Sequence, residues 1–341
     1  MTAFDFSIAS LPKPFDRARA ERTFERLAEE GYRPEGDARA LLESAFGNSA
    51  FLCRLALREH QALARLFAEG PGALLHQAMA DALAAAGTQS EADIMAALRG
   101  AKRRAALTVA LADIAGVWTL EEVTAALTGF ADACVKSALR FALQEAARDT
   151  PLAGRDGEAL EASTGLVVLA MGKYGAFELN YSSDIDFIVF YDAQTFPFRK
   201  RGDARGAAVD IVKKLVKLIG EVTAEGYVFR VDLRLRPDAG ATQIAISTEA
   251  AENYYEEMGQ NWERAALIKA RASAGDPAAG ARFLAAIAPF IWRRNLDFAA
   301  IEDIHSIKRQ IHAHVGHGEI AVAGHNIKLG RGGIREIEFF A

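Results

Sequence analysis

Three acidic residues have the types and spacing that chemistry needs: the pair in Asp184-Ile-Asp186, and Asp232 in Arg230-Val-Asp-Leu-Arg-Leu-Arg-Pro237. On an extended strand, residues two apart project to the same side. Asp184 and Asp186 would therefore face one cavity, and adjacent like charges are costly unless a cation neutralises them. Hard oxygen ligands of this kind suit Mg²⁺ or Mn²⁺. Strict alternation in the second segment puts Asp232, Arg234 and Arg236 on one face, with Val231, Leu233 and Leu235 on the other. A third carboxylate beside the first two would complete a site for two divalent ions, which can activate an attacking oxygen and stabilise a leaving one. Arg234 or Arg236 could hold phosphate oxygens by bidentate hydrogen bonds, or form a structural ion pair.

The pair follows Gly172-Lys-Tyr-Gly-Ala-Phe-Glu-Leu-Asn-Tyr-Ser-Ser183, which directly follows an apolar run. Gly172 permits a sharp bend and close backbone approach to a ligand. A short helix beginning near Lys173 would present amide N–H groups to an anion, and the lysine would add positive charge. Other candidates are weaker. His305, His312, His314, His317 and His325 cluster late in the chain but lack a zinc-helix spacing. Cys53 and Cys134 form neither a disulfide framework nor a zinc site and read as small core residues of a reducing compartment. The basic runs Lys102–Arg104 and Arg199–Arg201 read as solvated faces.

These residues need elements to position them. Gly165 to Met171 is short, apolar and β-prone, which predicts a buried strand. Asp184–Tyr191 and Tyr227–Leu235 are further strands, with an amphipathic helix over about 205–225 between them. Before residue 155 the chain is rich in Ala, Leu, Glu and Arg and reads as all helix, broken at Gly31, Gly47, Gly70-Pro-Gly72, Gly87 and Gly116. Ser90 with Asp93 and Thr119 with Glu122 mark helix starts. Residues 248–317 read as helical with an interruption near Gly275-Asp-Pro277. The Trp262–Arg271 block reads as a helix over the sheet with Trp262 in the core. The alternating run at the end of 326–340 reads as a possible return to the sheet, where Glu336 and Glu338 would share a face and either support the metal site or join Arg335 in an ion-pair network. The domain expectation is 1–155 helical and 156–341 catalytic.

This order of turn, short helix, Asp-x-Asp pair and later Asp resembles the DNA polymerase β-type nucleotidyltransferases, except that Lys173 stands where that superfamily usually has Ser. Gly-Lys-x-Gly-x-x-Glu-Leu followed by Ser-Asp-x-Asp is similar to the bifunctional glutamine synthetase adenylyltransferase/adenylyl-removing enzymes. So are Asp232–Pro237, Trp262–Arg271 and Lys328–Phe339. The resemblance implies an α+β fold: an all-helical N-terminal domain, then a polymerase β-like mixed sheet flanked by helices. It implies metal ligation by Asp184, Asp186 and Asp232, with Gly172, Lys173, Ser183, Arg234 and Arg236 at the phosphate or nucleotide. Family chains carry two nucleotidyltransferase halves, one attaching AMP to a tyrosine of glutamine synthetase and one removing it with inorganic phosphate to give ADP. With one catalytic core behind a helical leader, this sequence resembles the N-terminal, adenylyl-removing half. Its end at Ala341, directly after Ile-Glu-Phe, reads as a stop short of the family's full length. Adenylylated glutamine synthetase and the PII signal protein are the partners the resemblance implies.

Composition narrows the alternatives. The 341 residues carry 40 Lys plus Arg against 45 Asp plus Glu, a net charge of −5, with 51% hydrophobic and 25% charged residues. That is a globular composition of about two domains. It argues against an RNA-tailing enzyme, which needs a basic face. No apolar run reaches the roughly 18 residues of a membrane span, and Met1–Ser10 has no secretory pattern, so the expected location is cytoplasmic. The forward adenylyltransferase and a non-catalytic regulatory module remain as rivals.

Overall fold

The structure, a computed structural model, describes residues 4–155, 157–200 and 202–292, and toward the C-terminus 324–328, 330, 332–334 and 337. Seven helices come first: α1 (Arg17–Glu29), α2 (Gly36–Asn48), α3 (Ala50–Arg58), α4 (His60–Glu69), α5 (Pro71–Ala84), α6 (Glu91–Ile114) and α7 (Leu120–Ala147). Their starts follow local chemistry. Asp16 accepts from the Arg19 amide at 2.8 Å, and Ser90 from that of Asp93 at 3.2 Å. Thr119 and Glu122 form a reciprocal capping box. Each such cap satisfies amides that the first turn leaves unpaired, worth about 1 kcal/mol.

The second part runs α8 (Gly157–Glu161), β1 (Leu166–Ala170), α9 (Gly172–Gly175), β2 (Ile185–Tyr191), α10 (Ala204–Gly220), β3 (Val231–Asp232), β4 (Ala245–Ser247), α11 (Thr248–Glu257), α12 (Asn261–Leu267), β5 (Arg271–Gly275) and α13 (Pro277–Ile291). The sheet order is β3-β2-β1-β5, with β4 also on β2. β1 is antiparallel to β2 and β5, whereas β3 and β4 run parallel to β2. The fold is α+β with a mixed sheet flanked by helices.

β1 is buried along its whole length, which is why its sequence is unbroken apolar rather than alternating. Leu166, Val168 and Ala170 join Phe187 and Val189 of β2 against α7 and α10. Val167 and Leu169 join Ile188 and Phe190 against α11 and α13. A separate cluster gathers α1–α4 with Leu107, Leu111 and Ala115 of the α6 end.

Buried side chains are continuous across residue 155. One buried cluster runs from Ala78 through α6 and α7 into the sheet as far as Ala274. Cys53 and Cys134 are buried free thiols, as their sequence context suggests, and burial pushes the Cys134 thiol up to about 12.

Three expectations change. Residues 271–275 are a strand inside the stretch read as helical. Arg-Ala-Ser-Ala-Gly has no β-branched residue, so only pairing with β1 makes it extended. Trp262 is exposed, and its neighbour Glu263 is the buried residue, accepting from Tyr254 Oη at 3.1 Å and from the Gln260 amide at 2.8 Å. At the C-terminal end Ile334 and Ile337 are helical rather than extended. Glu336, Glu338, and the four histidines from His305 to His317 lie outside the described residues.

Candidate active site

The end of β1 and the start of β2 meet where the Met171 amide donates to the Asp186 carbonyl at 2.9 Å. Beyond it, Gly172 takes φ +53, a left-handed conformation that Cβ-bearing residues rarely adopt. A Cβ at Gly172 would come within 3.0 Å of Asp186 Oδ2. The bend is thus a glycine because a carboxylate occupies the space beside it. The helix it opens, α9, is a single turn; Lys173 is exposed on it. The chain then reaches β2 through a turn in which the Ser183 hydroxyl accepts from the Asn180 amide at 3.1 Å. Asp184 follows, exposed, just ahead of the strand.

Parallel pairing sets the third carboxylate. Ile185 is in register with Val231 and Asp186 with Asp232, and the Ile185 amide donates to the Arg230 carbonyl at 2.9 Å. Directly paired residues share a face, so Asp186 and Asp232 stand side by side from segments 46 residues apart in sequence. Burial, then the charges of Asp232 and Asp184, push the Asp186 carboxyl up to about 6. A carboxylate held there with no hydrogen bond from the described residues would bind a cation to relieve the repulsion.

Asp232 meets a different neighbour. Arg234 Nε donates to its two oxygens at 3.0 and 2.9 Å, and Nη2 also donates. These bonds hold the Asp232 carboxyl below the usual range. Among the described residues no three His, Cys, Asp or Glu side chains are closed into metal-ligating geometry. The donor chemistry fits a hard divalent ion. The present geometry has Asp232 turned to a guanidinium and Asp184 facing solvent.

Arg236 does not join them. The strand ends at Asp232, and the Arg236 guanidinium turns back to the carbonyls of Leu233 (2.8 Å), Ala239 (2.6 Å) and Thr242. Leu233 packs with the cluster on one side of the sheet and Leu235 with the cluster on the other. The expected alternation therefore fails after Leu233, and Arg236 shapes the loop.

Residues 39–286 match the glutamate-ammonia ligase adenylyltransferase family. The chain belongs to that family. Residues 305–341 also match the GlnD PII-uridylyltransferase family. A bifunctional glutamine synthetase adenylyltransferase/adenylyl-removing enzyme of Xanthobacter autotrophicus is 52% identical over 303 residues, covering 89% of this chain and 31% of that protein. The enzyme of the same name from a Bradyrhizobium species is 56% identical over 252 residues, covering 74% and 26%, and that of Caulobacter vibrioides 48% over 333, covering 95% and 33%. The chain thus spans about a third of the length of these curated relatives or less. Among the described residues no helix is long and apolar enough to cross a membrane.

Two contributors were not visible as site residues in the sequence of this family member. Lys328 lies near enough that its charge draws the Asp186 carboxyl downward against the other influences; the Lys-Leu-Gly-Arg-Gly-Gly block was legible only as a motif. Arg271 reaches the α9 turn from β5 and donates to its carbonyls; nothing in its own sequence neighbourhood signals that contact.

Proposed function

We propose that this chain carries the adenylyl-removing activity: phosphorolysis of the adenylyl-tyrosine bond of glutamine synthetase by inorganic phosphate, giving ADP and unmodified synthetase in the control of nitrogen metabolism. The observation that supports it most is the pairing of Asp186 with Asp232 on parallel strands against the side-chain-free bend at Gly172. PII is the regulatory partner we propose with it, from the family resemblance.

Asp184, Asp186 and Asp232 would hold Mg²⁺ or Mn²⁺, which supplies charge stabilisation at the phosphoryl oxygens when bound. The rest is the work of the chain. Gly172 leaves the approach to Asp186 open on one side. Lys173, exposed on the turn, adds positive charge for phosphate. Arg234 is mostly exposed and, released from Asp232, can offer its planar fork to phosphate oxygens. A phosphate oxygen forms the new bond to the α-phosphorus while the bond to the tyrosine oxygen breaks; that oxygen departs in line and takes up a proton. Positioning and electrostatics supply the rate in such transfers, and no side-chain nucleophile is required.

The test is incubation of the full-length protein with adenylylated glutamine synthetase, phosphate and Mg²⁺. ADP release that is lost in Asp186→Asn supports the proposal. Incorporation of AMP from ATP dependent on Asp186, with no ADP release, assigns the forward reaction instead. Neither activity leaves the non-catalytic alternative.

A further inference from the structure

The bend beside Asp186 is closed in an uncommon way. The Glu178 amide donates to the Lys173 carbonyl at 2.8 Å, and Phe177 is the left-handed residue of that closure at φ +62. Glycine usually fills such a position. Here the phenylalanine ring serves as a platform: the Arg271 guanidinium lies over it, 4.0 Å from the centroid. The same guanidinium donates to the carbonyls of Gly175 and Tyr174, each at 3.2 Å. Those oxygens belong to the C-terminal end of the turn, where a cation is favoured.

Arg271 is itself held from the far side. Its Nη2 donates to Asp132 of α7 at 2.9 Å, with both side chains largely buried. The fit beneath is close. A Cβ at Gly175 would overlap the Lys269 carbonyl and lie 2.7 Å from that of Ala170. So β5 and α7 grip the turn through one side chain, while the other end of the turn is the glycine that touches Asp186.

We infer that Arg271, oriented by Asp132, is a positioning residue that sets the Gly172–Phe177 turn for a phosphate-bearing substrate beside Asp186; this rests on the function proposed above. It touches none of the three carboxylates and acts through the backbone of the turn. Lysine would keep the charge but not the planar fork that serves two carbonyls, a carboxylate and an aromatic face together.

The experiment uses Arg271→Gln, Arg271→Lys and Asp132→Asn in the full-length protein. The readouts are calorimetric affinity for Mn²⁺–ADP, KM for phosphate and kcat of ADP release, Tm, and amide exchange over residues 172–178. Arg271→Gln should weaken Mn²⁺–ADP at least tenfold, with the loss concentrated in KM for phosphate and faster exchange in the turn. Arg271→Lys should recover part of it, and Asp132→Asn should lose several-fold. Wild-type affinity, KM and exchange in Arg271→Gln overturn the inference and leave the proposed function standing. Equal loss in the Lys and Gln variants in step with a fall in Tm also overturns it, as a purely structural role. If the wild type binds no Mn²⁺–ADP and transfers no adenylyl group, the proposed function fails, and turn exchange alone decides: faster in Arg271→Gln supports positioning, unchanged refutes it. Should Arg271→Gln fail to fold, the other two variants decide by the same readouts.

Discussion

Gly172→Ala is the substitution whose effect the structure states in most detail. The new Cβ would stand 3.0 Å from Asp186 Oδ2, 3.7 Å from Cγ and 3.9 Å from Cβ. Non-bonded atoms of this kind prefer about 3.5–4.0 Å, so the carboxylate has to give by a few tenths of an ångström. The backbone at φ +53 adds about 1–2 kcal/mol of strain for any L residue. Strain of that size lowers Tm by about 2–8 °C, scaling from domains of 150–250 residues. Displacement at the reacting centre costs more in rate than in stability, since a misplacement of about 1 Å can cost about 10²-fold. Gly31→Ala separates the two effects: Gly31 has φ +84 with nothing within 4 Å of the added atom. Both variants should lose similar Tm in a thermal scan. ADP release from adenylylated glutamine synthetase should fall at least tenfold in Gly172→Ala and stay near wild type in Gly31→Ala. Equal activity in the two would refute the claim that the bend exists to seat Asp186.

Other contacts carry their own expected outcomes. Arg99, buried between α6 and α10, donates to the carbonyls of Gly226 (2.7 Å), Leu218 (3.1 Å), Met95 (3.0 Å) and Glu221; Arg99→Met should cost about 1–3 kcal/mol by urea unfolding, because the buried Leu218 carbonyl loses its charged donor, whereas the Gly226 carbonyl keeps the Thr223 amide. Asp186 has its carboxyl raised from 3.8 to about 6, so the folded state holds the extra proton between those values and stability falls as pH rises through that window. Asp186→Asn should therefore raise Tm at pH 7.5, with the gain disappearing below about pH 4, while activity is lost; a lower Tm at pH 7.5 would contradict the electrostatic account. Arg234→Gln removes the guanidinium from both Asp232 oxygens, leaving Oδ1 only the amide of residue 234, and should tighten binding of Mn²⁺ alone several-fold by calorimetry, whereas weaker binding would show that the guanidinium assists the ion.

Much of this was legible from residues because it is decided locally. The helix starts at Arg17, Glu91 and Leu120 follow capping side chains within a few positions, and β1 announces itself as an apolar run between Gly165 and Gly172. What was hidden depends on partners far along the chain. β5 is a strand only because β1 accepts it. Trp262 is exposed where the core was expected, and Glu263 is buried because Tyr254 and the Gln260 amide satisfy its carboxylate. Arg236 has the spacing of a ligand, but the carbonyls of Leu233 before it and of Ala239 and Thr242 after it claim its guanidinium first. Arg271 and Asp132 are 139 residues apart, a separation at which no periodicity speaks. The core that crosses residue 155 is hidden for the same reason: the compositional change there marks a change of secondary structure, while one buried cluster joins α5, α6 and α7 to the sheet beyond it.

The central claim is that Asp184, Asp186 and Asp232 converge on a divalent cation at the Gly172 bend. A crystal structure of the protein soaked with Mn²⁺ and ADP tests it most directly, through the anomalous signal of the metal. The account predicts a peak within about 2.0–2.3 Å of oxygens from Asp186 and Asp232, with Arg234 swung off Asp232 toward phosphate. A structure with ADP bound, no peak between those carboxylates and Arg234 still seated on Asp232 would contradict it.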